Sequence, residues 1–190
     1  MFMLPSIILN ALIVVSVAAC IVWGLRHAEP PMRLFRYFTT LSNVLLAFSS
    51  IAVLIMSSGP LPLWTVIFKY TGTAAVTVTM LTVLFFLGPV SHEWRSLLGG
   101  AELFLHLICP LLALVSFIGF ENAPMPAWVI AIGTLPVILY GTLYCYKVVF
   151  CPEERRWEDF YGFDHNGKWL PSCLIMVLGA ALIALALWVI

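Results

Sequence analysis

Two kinds of side chain in this sequence could do covalent chemistry, and both sit inside stretches that are otherwise apolar. His106 and Glu102 lie four positions apart, so on a helix they share one face. An ionisable group within an apolar run of bilayer length is costly and marks a functional site by default. An imidazole beside a carboxylate is a candidate general base. The competing reading is a histidine satisfied by a neighbouring helix, with Glu102 at the lipid headgroups. The second cluster is Phe35-Arg36-Tyr37-Phe38-Thr39-Thr40-Leu41-Ser42-Asn43, in which Thr39, Ser42 and Asn43 fall on one helix face. A hydroxyl activated by a base is a nucleophile. The competing reading is back-bonding to helix carbonyls and interhelical glue. Tyr140 and Tyr144 share a face and could donate to an oxyanion or simply pack. A lone membrane-embedded histidine with scattered cysteines does not make a metal site, no G-x-S-x-G elbow appears, and no cofactor is expected.

The elements that must position these groups are read from composition. The chain has 190 residues, 63% hydrophobic and 9% charged. A soluble domain carries about 25% charged residues, so the solvent for most of this chain is lipid. Nine basic residues balance nine acidic ones, and no basic stripe is present to neutralise the phosphates of a nucleic acid. A bilayer core needs about 20 apolar residues per helix. Six runs meet this, at about 7–25, 38–56, 64–87, 98–120, 127–150 and 169–190. Pro30-Pro31, Pro60 with Pro62, Gly88-Pro89, and Pro124 with Pro126 close or separate them. The expectation is an all-α membrane protein, one domain built as a six-helix bundle with short loops. Val17-Ala18-Ala19-Cys20 resembles a lipoprotein cleavage box, but Ile21-Val22-Trp23 continue the apolar run, which reads as a retained helix. Cys20, Cys109, Cys145, Cys151 and Cys173 form no C-x-x-C pair and read as small buried hydrophobes.

Lys and Arg placement sets an expected orientation. Arg26, Arg33, Arg36, Arg95, Lys147, Arg155, Arg156 and Lys168 belong to the first, third and fifth connections, and only Lys69 belongs to the other side. Those three connections are expected in the cytoplasm, with both termini outside the cell membrane. Small residues on helix three (Gly72, Thr73, Ala74, Ala75, Thr77, Thr79) and on helix six (Gly179, Ala180, Ala181, Ala184, Ala186) read as packing faces. Helices two and four then run in the same direction. By helical rise Thr39 lies about one turn into helix two and His106 two to three turns into helix four, both in the cytoplasmic half.

Phe38-Thr39-Thr40-Leu41-Ser42-Asn43 resembles the F-T-x-x-S-N signature of a bacterial six-helix membrane protein family. In that family a histidine on helix four is followed four residues later by proline, as His106 is by Pro110 here. The loop before helix six reads like W-Y-P-Y-x-F-L-D, of which Trp157-Glu158-Asp159-Phe160-Tyr161-Gly162-Phe163-Asp164 is a loose version. The bacterial family is similar to the eukaryotic androgen-induced-protein family, intramembrane hydrolases of fatty acid esters of hydroxy fatty acids. The resemblance implies Thr39 as nucleophile and His106 as base. The chain departs from the pattern at Ser116, where relatives carry an acidic residue, and at Phe85 and Phe86, where they carry a histidine.

The expected function is therefore hydrolysis of a lipid ester, with Thr39 attacking the acyl carbonyl and His106 moving the proton. Glu102 or Asn43 would orient the imidazole or contact the oxyanion, with Ser42, Tyr140 and Tyr144 in support. Acyl transfer is open to the same pair. Alternatives are a lipid-binding or proton-coupled solute protein with a polar cavity, and a packing subunit whose polar groups are glue. The expected partner is a membrane lipid or a lipid-like ester, not a nucleic acid; the oligomeric state is left open.

Overall fold

The apolar runs fold into six helices long and apolar enough to cross a membrane. The computed structural model describes residues 3–164 and 167–190, and among these it contains helices and turns but no strand. The helices are α1 (Leu4–His27), α2 (Phe38–Met56), α3 (Leu63–Ser91), α4 (Ala101–Glu121), α5 (Val129–Phe150) and α6 (Trp169–Val189). The chain is an all-α, multi-pass membrane protein. In lipid each backbone N–H and C=O must find its partner within the segment, and a helix does that.

Proline shapes two of these helices in the same way. A proline at position n cannot bond the carbonyl at n−4 and crowds it. Pro89 acts on Phe85, the middle of a π-helical turn at Val83–Leu87. Pro110 acts on His106, the middle of a second π-helical turn at Phe104–Ile108. Widening the turn absorbs the lost bond. This is why Gly88-Pro89 does not end α3, as expected from sequence: the helix continues to Ser91. The start of α4 also shifts, from 98 to Ala101, because Gly100 adopts φ 56° and breaks the helix before it.

The small residues expected to form a packing face on α3 are all buried. A Cβ on Gly72 would lie 2.7 Å from Ser49 Oγ and 3.1 Å from Leu46 Cα, so α2 and α3 meet nearly backbone to backbone there. On α6 the expectation holds only for Ala180 and Ala184. The rest of that helix turns Leu174, Ile175, Leu178 and Leu182 outward, because α6 packs along a single edge.

One further expectation, for the cysteines, is corrected. Cys145 on α5 and Cys173 on α6 are bonded to each other, while Cys20, Cys109 and Cys151 are buried and free. Lys69, counted from sequence only as the one cation of the other side, lies inside the bundle. It is fully buried, with Nζ donating to Asn10 Oδ1 of α1 at 2.7 Å and Ser50 Oγ of α2 at 2.9 Å. Its ion partner is Glu121 of α4, whose Oε2 lies 3.9 Å from Nζ. Glu121 Oε1 accepts from Ser6 Oγ at 2.7 Å, and from Asn10 Nδ2 and Ser116 Oγ. A lysine inside a bundle persists only when paired and hydrogen-bonded, and three other helices, α1, α2 and α4, supply those partners.

Near the same end of the bundle, Tyr70 of α3 donates to the Ala184 carbonyl of α6 at 2.6 Å. That contact closes the seam between α3 and α6. Nearer the arginine-bearing loops the seam opens into a cavity.

Candidate active site

Thr39 stands in the first turn of α2 and His106 in the π-helical turn of α4. Thr39 Oγ1 lies 3.2 Å from His106 Nε2. The later start of α4 removes much of the difference in depth expected from sequence. His106 is buried, and its Nδ1 lies 2.6 Å from the Leu97 carbonyl. That oxygen can only accept, so Nδ1 carries the proton of the neutral ring. Nε2 then presents its lone pair to the Thr39 hydroxyl, the arrangement a general base needs. The Leu97 carbonyl is free to serve because it ends a one-turn helix, Trp94–Leu97, whose last carbonyls lack helical partners. Gly99 and Gly100 turn the chain back toward α4. A Cβ on Gly99 would stand 2.3 Å from the Arg95 carbonyl oxygen, a clash that only glycine avoids.

Glu102 approaches the ring from the side that faces Thr39. Its Oε2 lies 3.5 Å from Nε2, the same nitrogen that faces Thr39, and its side chain is about half exposed. There it can stabilise an imidazolium once the proton has moved, weakened by solvent. Asn43 turns its amide nitrogen to the backbone. Its Nδ2 donates to the Thr39 carbonyl at 2.8 Å and the Leu105 carbonyl at 3.0 Å. It fastens the backbone of the hydroxyl to that of the histidine. Asn43→Ala is therefore expected to destabilise the bundle by about 1–3 kcal/mol, the cost of unmade buried hydrogen bonds. The unfolding midpoint in detergent would read it, and an unchanged midpoint would deny Asn43 this role. Ser42 donates to the Thr39 carbonyl at 3.1 Å and lies 2.9 Å from Thr79 Oγ1, joining α2 to α3 away from the imidazole.

Tyr144 lies off the cavity, whereas Tyr140 lines it with its own proton directed away. Tyr140 donates to the Arg36 carbonyl at 2.8 Å. Tyr144 donates to Asp159 Oδ1 at 3.1 Å and accepts the Tyr161 N–H at 3.2 Å. Asp159 also accepts the N–H groups of Phe163 and Asp164, at 2.8 Å and 2.9 Å. These bonds fold the loop before α6 against the start of α2, where the Tyr161 hydroxyl accepts the Phe38 N–H at 3.2 Å. That hydroxyl neighbours those of Thr39 and Tyr140, and burial pushes its pKa up to about 12, so it keeps its proton at neutral pH. Tyr161 was not singled out from sequence. Its only signal was the aromatic run Trp157–Phe163, and a loop's contacts depend on the helices around it.

Thr39 and Tyr161 line the inner end of the cavity, which holds about 580 Å³. Most of its wall is apolar, from α3, α5 and α6, with Thr79, Thr82, Tyr140 and Ser172 as further polar groups. Phe85 on α3 and Ile175 and Leu182 on α6 line it while remaining 75%, 71% and 57% exposed. These residues face the bilayer, so the mouth opens sideways to lipid. His106 stands behind Thr39, off the cavity wall. No family model, no curated protein and no solved structure matches this chain.

Proposed function

We propose that this protein hydrolyses fatty acyl esters within the membrane, with Thr39 as nucleophile and His106 as general base. The observation that carries the reading is the 3.2 Å contact between Thr39 Oγ1 and an Nε2 whose ring proton is held on the other nitrogen. The hydroxyl also lies on the wall of an apolar cavity open to lipid. The resemblance of the helix-two motif and of the His106–Pro110 spacing to threonine hydrolases of fatty acid esters supports the same assignment.

The proposed reaction has two halves. An acyl chain enters between α3 and α6 and brings its ester carbonyl to Thr39. Thr39 Oγ adds to the carbonyl carbon as its proton passes to Nε2. The C–O bond to the alcohol breaks, and Nε2–H protonates the departing oxygen. Water, deprotonated by the same nitrogen, then hydrolyses the acyl-threonine and restores the hydroxyl. An alcohol in place of water gives acyl transfer. The membrane is read as the cell membrane, with the arginine-bearing loops in the cytoplasm and both termini outside.

The test is covalent capture. A long-chain fluorophosphonate is added to protein in nanodiscs, and the modified peptide is identified by mass. An adduct on Thr39 that a competing lipid ester suppresses is expected. An adduct elsewhere, or none while lipid co-purifies, would overturn the assignment and favour a lipid-binding protein whose cavity does no chemistry.

A further inference from the structure

We propose that Tyr161 is the oxyanion donor of this site, its hydroxyl aimed into the cavity where the ester carbonyl oxygen comes to rest. The inference stands on the hydrolase reading of Thr39 and His106 and adds the group that receives the developing charge. It follows from tracing the polar hydrogens around Thr39. The Thr39 hydroxyl is directed to His106 Nε2. The Tyr140 hydroxyl is directed to the Arg36 carbonyl. Asn43 Nδ2 is directed to two backbone carbonyls. The Phe38 N–H is directed to the Tyr161 oxygen. The Tyr161 oxygen accepts the Phe38 N–H, and its own hydroxyl lines the cavity between those of Thr39 and Tyr140, whose protons are directed to His106 and Arg36 and so leave the Tyr161 proton for a ligand in the cavity.

The surroundings suit the task. The Phe38 N–H is the first of α2, where the helix carries partial positive charge. By donating to the phenol oxygen it polarises the O–H beyond it. Tyr144 and Asp159 fix the loop through five hydrogen bonds or contacts to Glu158, Tyr161, Phe163 and Asp164 and to each other, so the donor is held in place before substrate arrives. When Thr39 Oγ adds to the carbonyl, the π electrons move to the carbonyl oxygen, which accepts a hydrogen bond from Tyr161. The phenol keeps its proton throughout. The electrons return to the carbon when the alcohol leaves.

The test compares the intact protein, Tyr161→Phe and Thr39→Ala in nanodiscs, using a long-chain p-nitrophenyl ester and its thiono analogue, in which C=S replaces C=O. Removing one oxyanion donor is expected to lower kcat about 10²–10³-fold, with KM held within about two-fold. Sulfur accepts hydrogen bonds poorly, so the preference for ester over thionoester should collapse in Tyr161→Phe. That preference is a ratio within one sample and is unaffected by the fraction of protein folded. A Tyr161→Phe variant with full kcat, or one slowed with its oxygen-to-sulfur preference unchanged, overturns the role of Tyr161. Full turnover by Thr39→Ala would instead overturn the hydrolase reading beneath it.

Discussion

His106→Ala is expected to slow ester hydrolysis about 10²–10⁴-fold, the usual contribution of a positioned general base. Two hydrogen bonds of one ring set this expectation. Nδ1–H donates to the Leu97 carbonyl and Nε2 accepts from the Thr39 hydroxyl, so among the described residues no other base is placed to take the hydroxyl proton. Glu102 is near, but it is half exposed and approaches Nε2 rather than Thr39. Alanine also strands the Leu97 carbonyl, at a cost of about 1–3 kcal/mol, so unfolding must be followed beside turnover. His106→Gln separates the two effects, because its amide can still donate toward Leu97 yet cannot act as a base. Both variants should be slow, and only the alanine one should also be less stable. Full turnover in the glutamine variant would leave the Thr39–His106 contact as interhelical glue.

Lys69→Met is expected to destabilise the bundle by about 3–5 kcal/mol, the cost of leaving a buried charge without its partner. Glu121 would then stand alone in the protein interior, its Oε1 held by Ser6, Asn10 and Ser116 and its Oε2 facing no cation. Adding Glu121→Leu should recover most of the loss, since apolar replacements of a whole buried pair are often neutral or better. Unfolding midpoints of the two single variants and the double variant in the same detergent form the cycle. Losses that simply add would show that Lys69 and Glu121 are not coupled. The network lies toward the end of the bundle away from Thr39, so kcat in the folded fraction should be unaffected.

Much of the fold was legible because bilayer thickness sets a length that apolar runs must meet. The bounds of α2 match those expected. The proximity of Thr39 and His106 was foreshadowed by helix direction, but not by depth, because the break at Gly100 is a backbone event that hydropathy cannot register. Pro110 was read as a motif spacing. Its physical meaning is the π-helical turn that it forces around His106. Lys69 and Glu121 were misread or passed over for a common reason: a charge near a helix end looks interfacial until its partners on other helices are known. The same applies to Ser116, where the resembled family carries an acid. Here the π-helical turn at Phe117–Glu121 brings the Glu121 carboxylate onto Ser116 through space. The Cys145–Cys173 bond joins residues 28 apart on separate helices, which spacing alone does not pair.

If the proposed hydrolysis holds, the sideways mouth between α3 and α6 changes which concentration governs it. A substrate that arrives by lateral diffusion is counted per lipid molecule, not per volume of water, and every neighbouring acyl chain competes for the same entrance. Water must come by another way, and half-exposed Glu102 beside Nε2 marks the wet side of the imidazole. On the proposed chemistry the two co-reactants thus approach Thr39 from opposite phases. The fate of the acyl-threonine, free acid or new ester, is then settled by which phase delivers the next hydroxyl first.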